Sequence, residues 1–228
     1  MPYRREAITA VIPTLDEAST LEAVVLGTRR HVGEIIVVDG HSRDGSADLA
    51  RDLSCRVFLD HGRGKGDALR TAVTHIRTPV TLFIDADGSH DPDDIPRLVE
   101  PILEDRADHV SASRLIGGSS ELHGGFDECL RLMGSSLITA CINHRFRVRL
   151  SESQNGFRAI RTSVLRHLDL REEITTIEQE MIIKTLRKGY RLVEVPSHEH
   201  RRKAGVSKIR LRRVALRYVF SLVKHLYF

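Results

Sequence analysis

Asp85 and Asp87 stand one residue apart at the end of an apolar run, in the stretch Leu-Phe-Ile-Asp-Ala-Asp-Gly-Ser-His-Asp that occupies residues 82–91. A buried strand that stops on two carboxylates and a polar turn presents oxygen ligands well suited to a divalent cation. Hard cations such as Mg²⁺ are commonly held by one or two carboxylates plus the phosphates of a substrate, so the pattern points to a phosphorylated ligand rather than a closed metal cage. A plainer explanation competes with it, because Asp and Gly are favoured turn residues wherever a strand ends.

A second candidate is the loop His61-Gly62-Arg63-Gly64-Lys65-Gly66-Asp67. Its glycines let backbone N–H groups approach a phosphate, and Lys65 falls at the start of the next helix. The loop lacks the Gly-x-x-x-x-Gly-Lys-Ser/Thr pattern, and its glycines follow a third strand rather than a first. Both facts argue against a Walker site and against a dinucleotide site. A flexible turn explains it equally well.

The elements that must position these residues follow from periodicity. Ala7 to Ile12 is a short apolar run ended by Pro13, and Ala18 to Arg30 has helical spacing at Leu21, Val24, Val25 and Thr28. Glu34 to Val38 is a second β-branched run that ends at Asp39. Asp44 to Leu53 suits a helix capped by Ser42 or Asp44. Arg56 to Leu59 reads as a third strand, Lys65 to Ile76 as a helix, and Val80 to Ile84 as the strand that delivers Asp85. Strands alternating with helices predict an α/β fold with a mostly parallel sheet. In such sheets ligands bind beyond the carboxyl ends of the strands, which here carry Pro13 to Glu17, Asp39 to Gly45, His61 to Asp67 and Asp85 to Asp91. A nucleotide cleft is the natural expectation.

With 228 residues, 41% hydrophobic and 29% charged, the chain suits one domain with a substantial core. Cys55, Cys129 and Cys141 are odd in number and widely spaced, which argues against a disulfide framework or a zinc site and for a reducing, cytoplasmic setting. No basic-then-apolar leader and no apolar run of about 18 residues occurs, so neither a signal peptide nor a membrane-spanning helix is expected. Between Gly117 and Arg149 a loop followed by a helix is expected, with the loop a candidate lid.

Net charge is +4, yet residues 201–228 hold nine cations and no acid, so the first 200 residues sum to −5. That asymmetry implies an anionic partner for the C-terminus. From Lys208 to Phe228 the spacing is that of an amphipathic helix, with Arg210, Arg213, Arg217 and Lys224 on one face and Leu211, Ala215, Leu216, Val219, Leu222, Val223 and Leu226 on the other. Such a helix either lies in a lipid headgroup layer or packs on the body of the protein. Residues 1–207 are expected to form the main domain and residues 208–228 this appended helix.

Several ordered motifs carry a family resemblance. Val11-Ile12-Pro13-Thr14-Leu15-Asp16-Glu17, then Val37-Val38-Asp39-Gly40-His41-Ser42-Arg43-Asp44-Gly45-Ser46, and Gly64-Lys65-Gly66 resemble family 2 glycosyltransferases. Asp85-Ala86-Asp87-Gly88-Ser89-His90-Asp91-Pro92 resembles the metal motif of the dolichyl-phosphate and polyprenyl-phosphate mannose and glucose synthases in that family. Ser153-Gln154-Asn155-Gly156-Phe157-Arg158-Ala159 resembles their acceptor-side motif. Glu178-Gln179-Glu180-Met181, Gly189 to Pro196 and Arg202 to Lys208 continue in the family's order, so the resemblance spans about residues 7 to 210.

The resemblance implies a GT-A fold, a Rossmann-like arrangement built for nucleotide-diphospho-sugars. It implies a metal-dependent, inverting transfer of mannose or glucose from a GDP- or UDP-sugar to a dolichyl or polyprenyl phosphate, peripheral at the cytoplasmic face of a membrane. Pro13, Thr14, Glu17, Asp39, Lys65, Asp85 and Ala86 would then line the donor, and Asp85, Asp87 and Ser89 would hold Mg²⁺ or Mn²⁺. The chain departs from the family pattern at Gly40, where a second aspartate is usual. A phosphate acceptor is already anionic at neutral pH and needs orienting cations rather than a general base. Beside Asp87, the catalytic candidates are therefore Arg114, Arg158, Arg202 and Lys208, with Glu180 assigned a structural or orienting role.

Two other readings stay open at this stage. The acceptor is a soluble hydroxyl compound or a growing glycan, with the C-terminal helix packed on the body. Or the basic C-terminus binds nucleic acid, which leaves Asp85 and Asp87 without a purpose and lacks any recognition motif, so no nucleic-acid partner is expected. A homo-oligomer or a membrane partner subunit is compatible with each.

Overall fold

The alternation of strand and helix is present from the first unit. In the computed structural model the described residues are 3–120, 126–200 and 211–227, with the side chains of 126–131 and 211–214 outside the description. The chain runs β1 (Ile8–Thr14), α1 (Ala18–Arg29), β2 (Glu34–Asp39), α2 (Ser46–Asp52), β3 (Arg56–Leu59), α3 (Lys65–Val73), β4 (Val80–Phe83) and α4 (Ile95–Leu103). It continues with β5 (His109–Ser113), α5 (Arg114–Gly117), α6 (Phe126–Phe146), β6 (Arg158–Arg161), α7 (Thr162–His167), α8 (Ile177–Arg187), β7 (Leu192–Pro196) and α9 (Leu211–Tyr227).

Seven strands form one sheet in the order β3-β2-β1-β4-β6-β5-β7. All neighbours are parallel except β6, which runs antiparallel to both β4 and β5. The chain winds outward from β1 through β2 to β3, then returns to place β4 on the other side of β1. That reversal opens a crevice at the carboxyl ends of β1 and β4, the place where such sheets bind ligands.

Several boundaries differ from the sequence expectation: α3 ends at Val73 rather than Ile76, and β4 at Phe83 rather than Ile84. β1 continues through Pro13 to Thr14, because β2 pairs with it that far while β4 pairs only to the Val11–Phe83 step. A residue without an N–H is tolerated where only one neighbour is hydrogen-bonded. α2 begins at Ser46 rather than Asp44, and the Asp44 carboxylate instead accepts hydrogen bonds from Ser46 N at 3.0 Å and Ala18 N at 2.8 Å. The expected loop-then-helix after Gly117 is matched by α6 from Phe126; residues 121–125, in the candidate lid, lie outside the described residues.

The core has two main layers. One, on one face of the sheet, joins Ile8, Ala10, Ile12, Val37, Leu82 and Ile84 to α1 and α4. The other joins Val11, Ile36, Val38, Phe83 and Ile160 to α3, α7 and the start of α8. Alternate residues of β1 and β2 thus face opposite layers, as a doubly covered strand requires. A third cluster packs Leu222 and Leu226 of α9 against Ile138 and Ile142 of α6 and Ile182 and Ile183 of α8.

Candidate active site

Four loops meet at the carboxyl ends of the adjacent parallel strands β3, β2, β1 and β4. The first two are laced together. Asp16 Oδ1 accepts from Arg43 N at 2.8 Å, Asp16 N donates to Ser42 Oγ at 2.9 Å, and Glu17 N donates to Ser46 Oγ at 3.0 Å. Gly40 N reaches Thr14 O at 2.8 Å. Pro13, Thr14 and Glu17 therefore sit on a frame that also holds Asp39. The Asp39 carboxylate is buried; Oδ2 accepts from Ser42 N at 2.9 Å while Oδ1 has no hydrogen-bond partner. A buried carboxylate oxygen left unmatched is costly, and a donor group from a bound ligand would satisfy it.

Beside it the segment after β3 contributes two acids, Asp67 from the candidate glycine loop and Asp60, which the sequence did not single out. Asp67 is buried and accepts from His61 N at 2.7 Å and His61 Nδ1 at 3.0 Å, while Asp60 accepts from Gly62 N at 2.7 Å. Burial pushes the Asp60 carboxyl up, with the charges of Asp67 and Asp39 adding to it.

The β4 end is the charged centre. Lys65 Nζ lies 2.6 Å from Asp85 Oδ1 and 2.7 Å from Glu178 Oε1. The Glu178 carboxylate comes from the first turn of α8, and nothing in the sequence around it pairs it with Lys65. Burial alone pushes the Asp85 carboxyl up, but the Lys65 ammonium and His90, 3.7 Å away, outweigh it and hold Asp85 well below the usual carboxylate range. Burial lowers the Lys65 ammonium, and Asp85 and Glu178 together more than reverse that. The pair requires a glycine opposite: a Cβ on Gly156 would stand 2.5 Å from Asp85 Oδ2 and 2.6 Å from Lys65 Nζ. Gly156, within the acceptor-side motif of the resemblance, is thus a close-approach position.

Asp87 is buried beside this pair, and its Oδ1 accepts from Ser89 N at 3.0 Å and Ser89 Oγ at 2.7 Å. Ser89 is accordingly placed to orient Asp87. The Ala86 side chain is buried in the core, which leaves its backbone as the part that can meet a ligand. Among the described residues no group of three His, Cys, Asp or Glu side chains forms a metal cage. Asp87, with Asp85 and Ser89 adjacent, nevertheless fits the open type of site in which one or two carboxylates leave the remaining positions to phosphate and water.

The cationic candidates divide three ways. Arg158 corrects its expected role: it is buried on β6, where Nε donates to Asn155 O at 3.0 Å and Nη1 to Glu178 O at 3.0 Å, with Nη2 also on Asn155 O. Its fork is spent on backbone carbonyls, so it ties the Gly156 turn to α8 rather than facing an acceptor. Burial correspondingly lowers its proton affinity. Arg114 is partly exposed and divided between two acids, Glu152 at 2.8 Å and Glu199 at 2.8 Å. The Glu199 backbone in turn pairs antiparallel with that of His90 in a single β-bridge, and His200 N donates to Ser89 O at 2.8 Å, so the Arg114 cluster supports the strip that carries Ser89. Arg202 and Lys208 lie outside the described residues. Glu180 is fully buried; it accepts from Arg171 N and Glu172 N at 2.9 and 2.8 Å and pairs with Lys184 at 2.7 Å.

A mostly parallel seven-stranded sheet with acidic groups gathered at the β1–β4 crevice defines the GT-A class of α/β fold. The chain superposes on glucosyl-3-phosphoglycerate synthase from Mycobacterium tuberculosis in complex with Mn²⁺, uridine diphosphate and phosphoglyceric acid, with a TM-score of 0.76 and 20% identity, covering 98% of this chain and 79% of that one. Residues 9–169 match glycosyl transferase family 2, and the chain belongs to that family of glycosyltransferases. Its curated relatives include the glycosyltransferase AglJ of Haloferax volcanii, 28% identical over 202 residues, covering 88% of this chain and 65% of AglJ. The chain thus spans about two thirds of AglJ's length. The undecaprenyl-phosphate mannosyltransferase of Micrococcus luteus is 29% identical over 217 residues, covering 89% of this chain and 87% of that protein.

Proposed function

We propose that this chain transfers a hexose, mannose or glucose, from a GDP- or UDP-sugar to a polyprenyl or dolichyl phosphate with inversion, working peripherally at the cytoplasmic face of a membrane. The observation that carries the reading is the junction at the end of β4, where Asp87 is oriented by Ser89 beside an Asp85 already neutralised by Lys65. Asp87, with Asp85 and Ser89, would hold Mg²⁺ or Mn²⁺ against the donor diphosphate. When bound, such an ion offsets the negative charge that builds on the departing nucleoside diphosphate. Asp39 would take a donor group of the nucleotide on its unmatched Oδ1, on the frame built by Pro13, Thr14 and Glu17.

The acceptor half of the reading is supported by the acids. Glu178 is bound to Lys65, and Glu180 to Lys184 and two backbone amides. Carboxylates engaged in this way are poor general bases, and an acceptor phosphate, ionised at neutral pH, needs none. The named relative that acts on undecaprenyl phosphate supports the same acceptor class. Arg202 and Lys208 are the cations proposed to meet it, with Arg114 steadying the strip beside Ser89.

The test is transfer of radiolabel from a panel of UDP- and GDP-sugars into polyprenyl phosphate in detergent, with Mg²⁺ or Mn²⁺ and with EDTA. Label that enters the organic phase only with metal is the expected result and identifies the donor. Metal-dependent donor hydrolysis with label confined to water-soluble products moves the acceptor to a soluble hydroxyl compound or glycan.

A further inference from the structure

We propose that the outward arc of α9, formed by Leu216, Val219, Phe220, Val223 and Tyr227, is a docking surface that lies in the headgroup layer of an anionic bilayer. The choice of occupant rests on the lipid-phosphate reading above; the surface itself rests on geometry. These five side chains are 82%, 56%, 71%, 47% and 68% exposed. One exposed apolar residue is ordinary on a protein surface, but five at spacings of three and four on one helix make a continuous stripe.

The stripe is not the one that holds α9 to the protein. Leu222 and Leu226 are buried against α6 and α8, Tyr218 Oη meets Thr175 Oγ1 at 2.5 Å, and His225 Nε2 lies 3.0 Å from Glu172 Oε1. The sequence placed Leu216, Val219, Leu222, Val223 and Leu226 on one apolar face; in the fold that face splits, part going to the core and part to solvent. A helix already anchored by one apolar arc has no folding need for a second. α6, packed beside it, adds Met133 and Leu137, 62% and 67% exposed.

Charge selects the occupant. Arg217 and Lys224 adjoin the stripe in sequence, Lys224 also lying 3.4 Å from Glu172 Oε1, α9 carries no acid, and residues 201–228 hold nine cations in all. Basic residues beside an exposed apolar arc suit an interfacial helix on anionic lipid. A two-fold contact between copies of this chain would set that cationic face against itself, which costs energy. No helix among the described residues is long and apolar enough to cross a membrane.

The experiment is flotation of the full chain with phosphatidylcholine vesicles, with and without phosphatidylglycerol, alongside detergent transfer assays on the same preparations. Wild-type protein is expected to float with the anionic vesicles and to release as salt rises. The double variant Leu216→Ser, Phe220→Ser, changed only at exposed positions, is expected to lose at least about tenfold in vesicle affinity. Its melting temperature and its turnover in detergent are expected to stay unchanged. Wild-type protein that stays with the soluble fraction, or a double variant that floats as well as wild type, overturns the docking surface, and detergent transfer then reports on the enzymatic reading alone. A concentration-dependent dimer that the double variant abolishes, with no flotation, assigns the stripe to a second copy and likewise overturns it.

Discussion

Two clusters in this protein share one plan, a cation set between two carboxylates, and they behave differently. Lys65 stands between Asp85 and Glu178, and Arg114 between Glu152 and Glu199. In the first, a compact ammonium and His90 overcome burial, and Asp85 is held firmly ionised. In the second, burial dominates at Glu152, and its carboxyl is pushed up in spite of Arg114. The guanidinium divides its fork, giving Glu199 two contacts at 2.8 and 2.9 Å and Glu152 one ion pair at 2.8 Å. Equal charge counts thus yield one cluster that keeps its charge fixed beside the metal motif and another that serves as a brace with a soft acid in it.

The comparison is sharpest where the clusters are broken. Asp87→Ala is expected to lower metal-dependent transfer by about 10²–10³-fold, the scale of several kcal/mol of charge stabilisation, with the melting temperature nearly unchanged. Turnover at the wild-type level in that variant would remove the assigned site. Lys65→Met and Arg114→Met each leave two acids without their cation, and each is expected to cost up to about 3 kcal/mol in urea unfolding. The two should part on adding Mg²⁺: the ion is expected to restore stability to Lys65→Met, whose acids adjoin the metal motif, and not to Arg114→Met. Equal rescue of both would erase the distinction.

A smaller effect is expected from Gly156→Ala, whose methyl group falls on Asp85 and Lys65 and should cost about 1–3 kcal/mol along with donor affinity. Gly134→Ala on α6, where a Cβ meets nothing within 4 Å, serves as the control and should match or exceed wild-type stability. The smallest effect concerns pH. A carboxyl raised on folding, as in Glu152, contributes stability that is full below its unfolded pKa and is lost as pH rises through the folded value. Asp85, held low, contributes in the opposite sense: present above the unfolded pKa and lost as pH falls. Glu152→Gln should therefore flatten the decline on the weakly acidic to neutral side of the stability profile and leave the acid limb in place, as read by melts across pH.

Much of this is legible in the amino-acid sequence. The first four strands and their helices follow from short-range periodicity, and Asp39, Asp85 and Asp87 stand where apolar runs stop, so a reader of the chain places them at strand ends. β5, β6 and β7 were harder, because His109–Ser113 and Arg158–Arg161 are short and polar and acquire strand geometry from their neighbours. Arg158 is the instructive error: arginine in a polar motif reads as a free cation, and only the carbonyls of Asn155 and Glu178 turning inward make it a strut.

The features that can be read from the chain alone are local. They are the alternation of strand and helix, the carboxylates that end β2 and follow β4, the glycines after β3 and the cationic C-terminus, because each depends on residues a few positions apart. Tertiary structure alone decided that Glu178 would meet Lys65, that Glu152 and Glu199 would share Arg114, and which arc of α9 would face the core. Those outcomes join residues far apart in the chain, and helical spacing defines the faces of a helix without saying which of them a neighbour will cover.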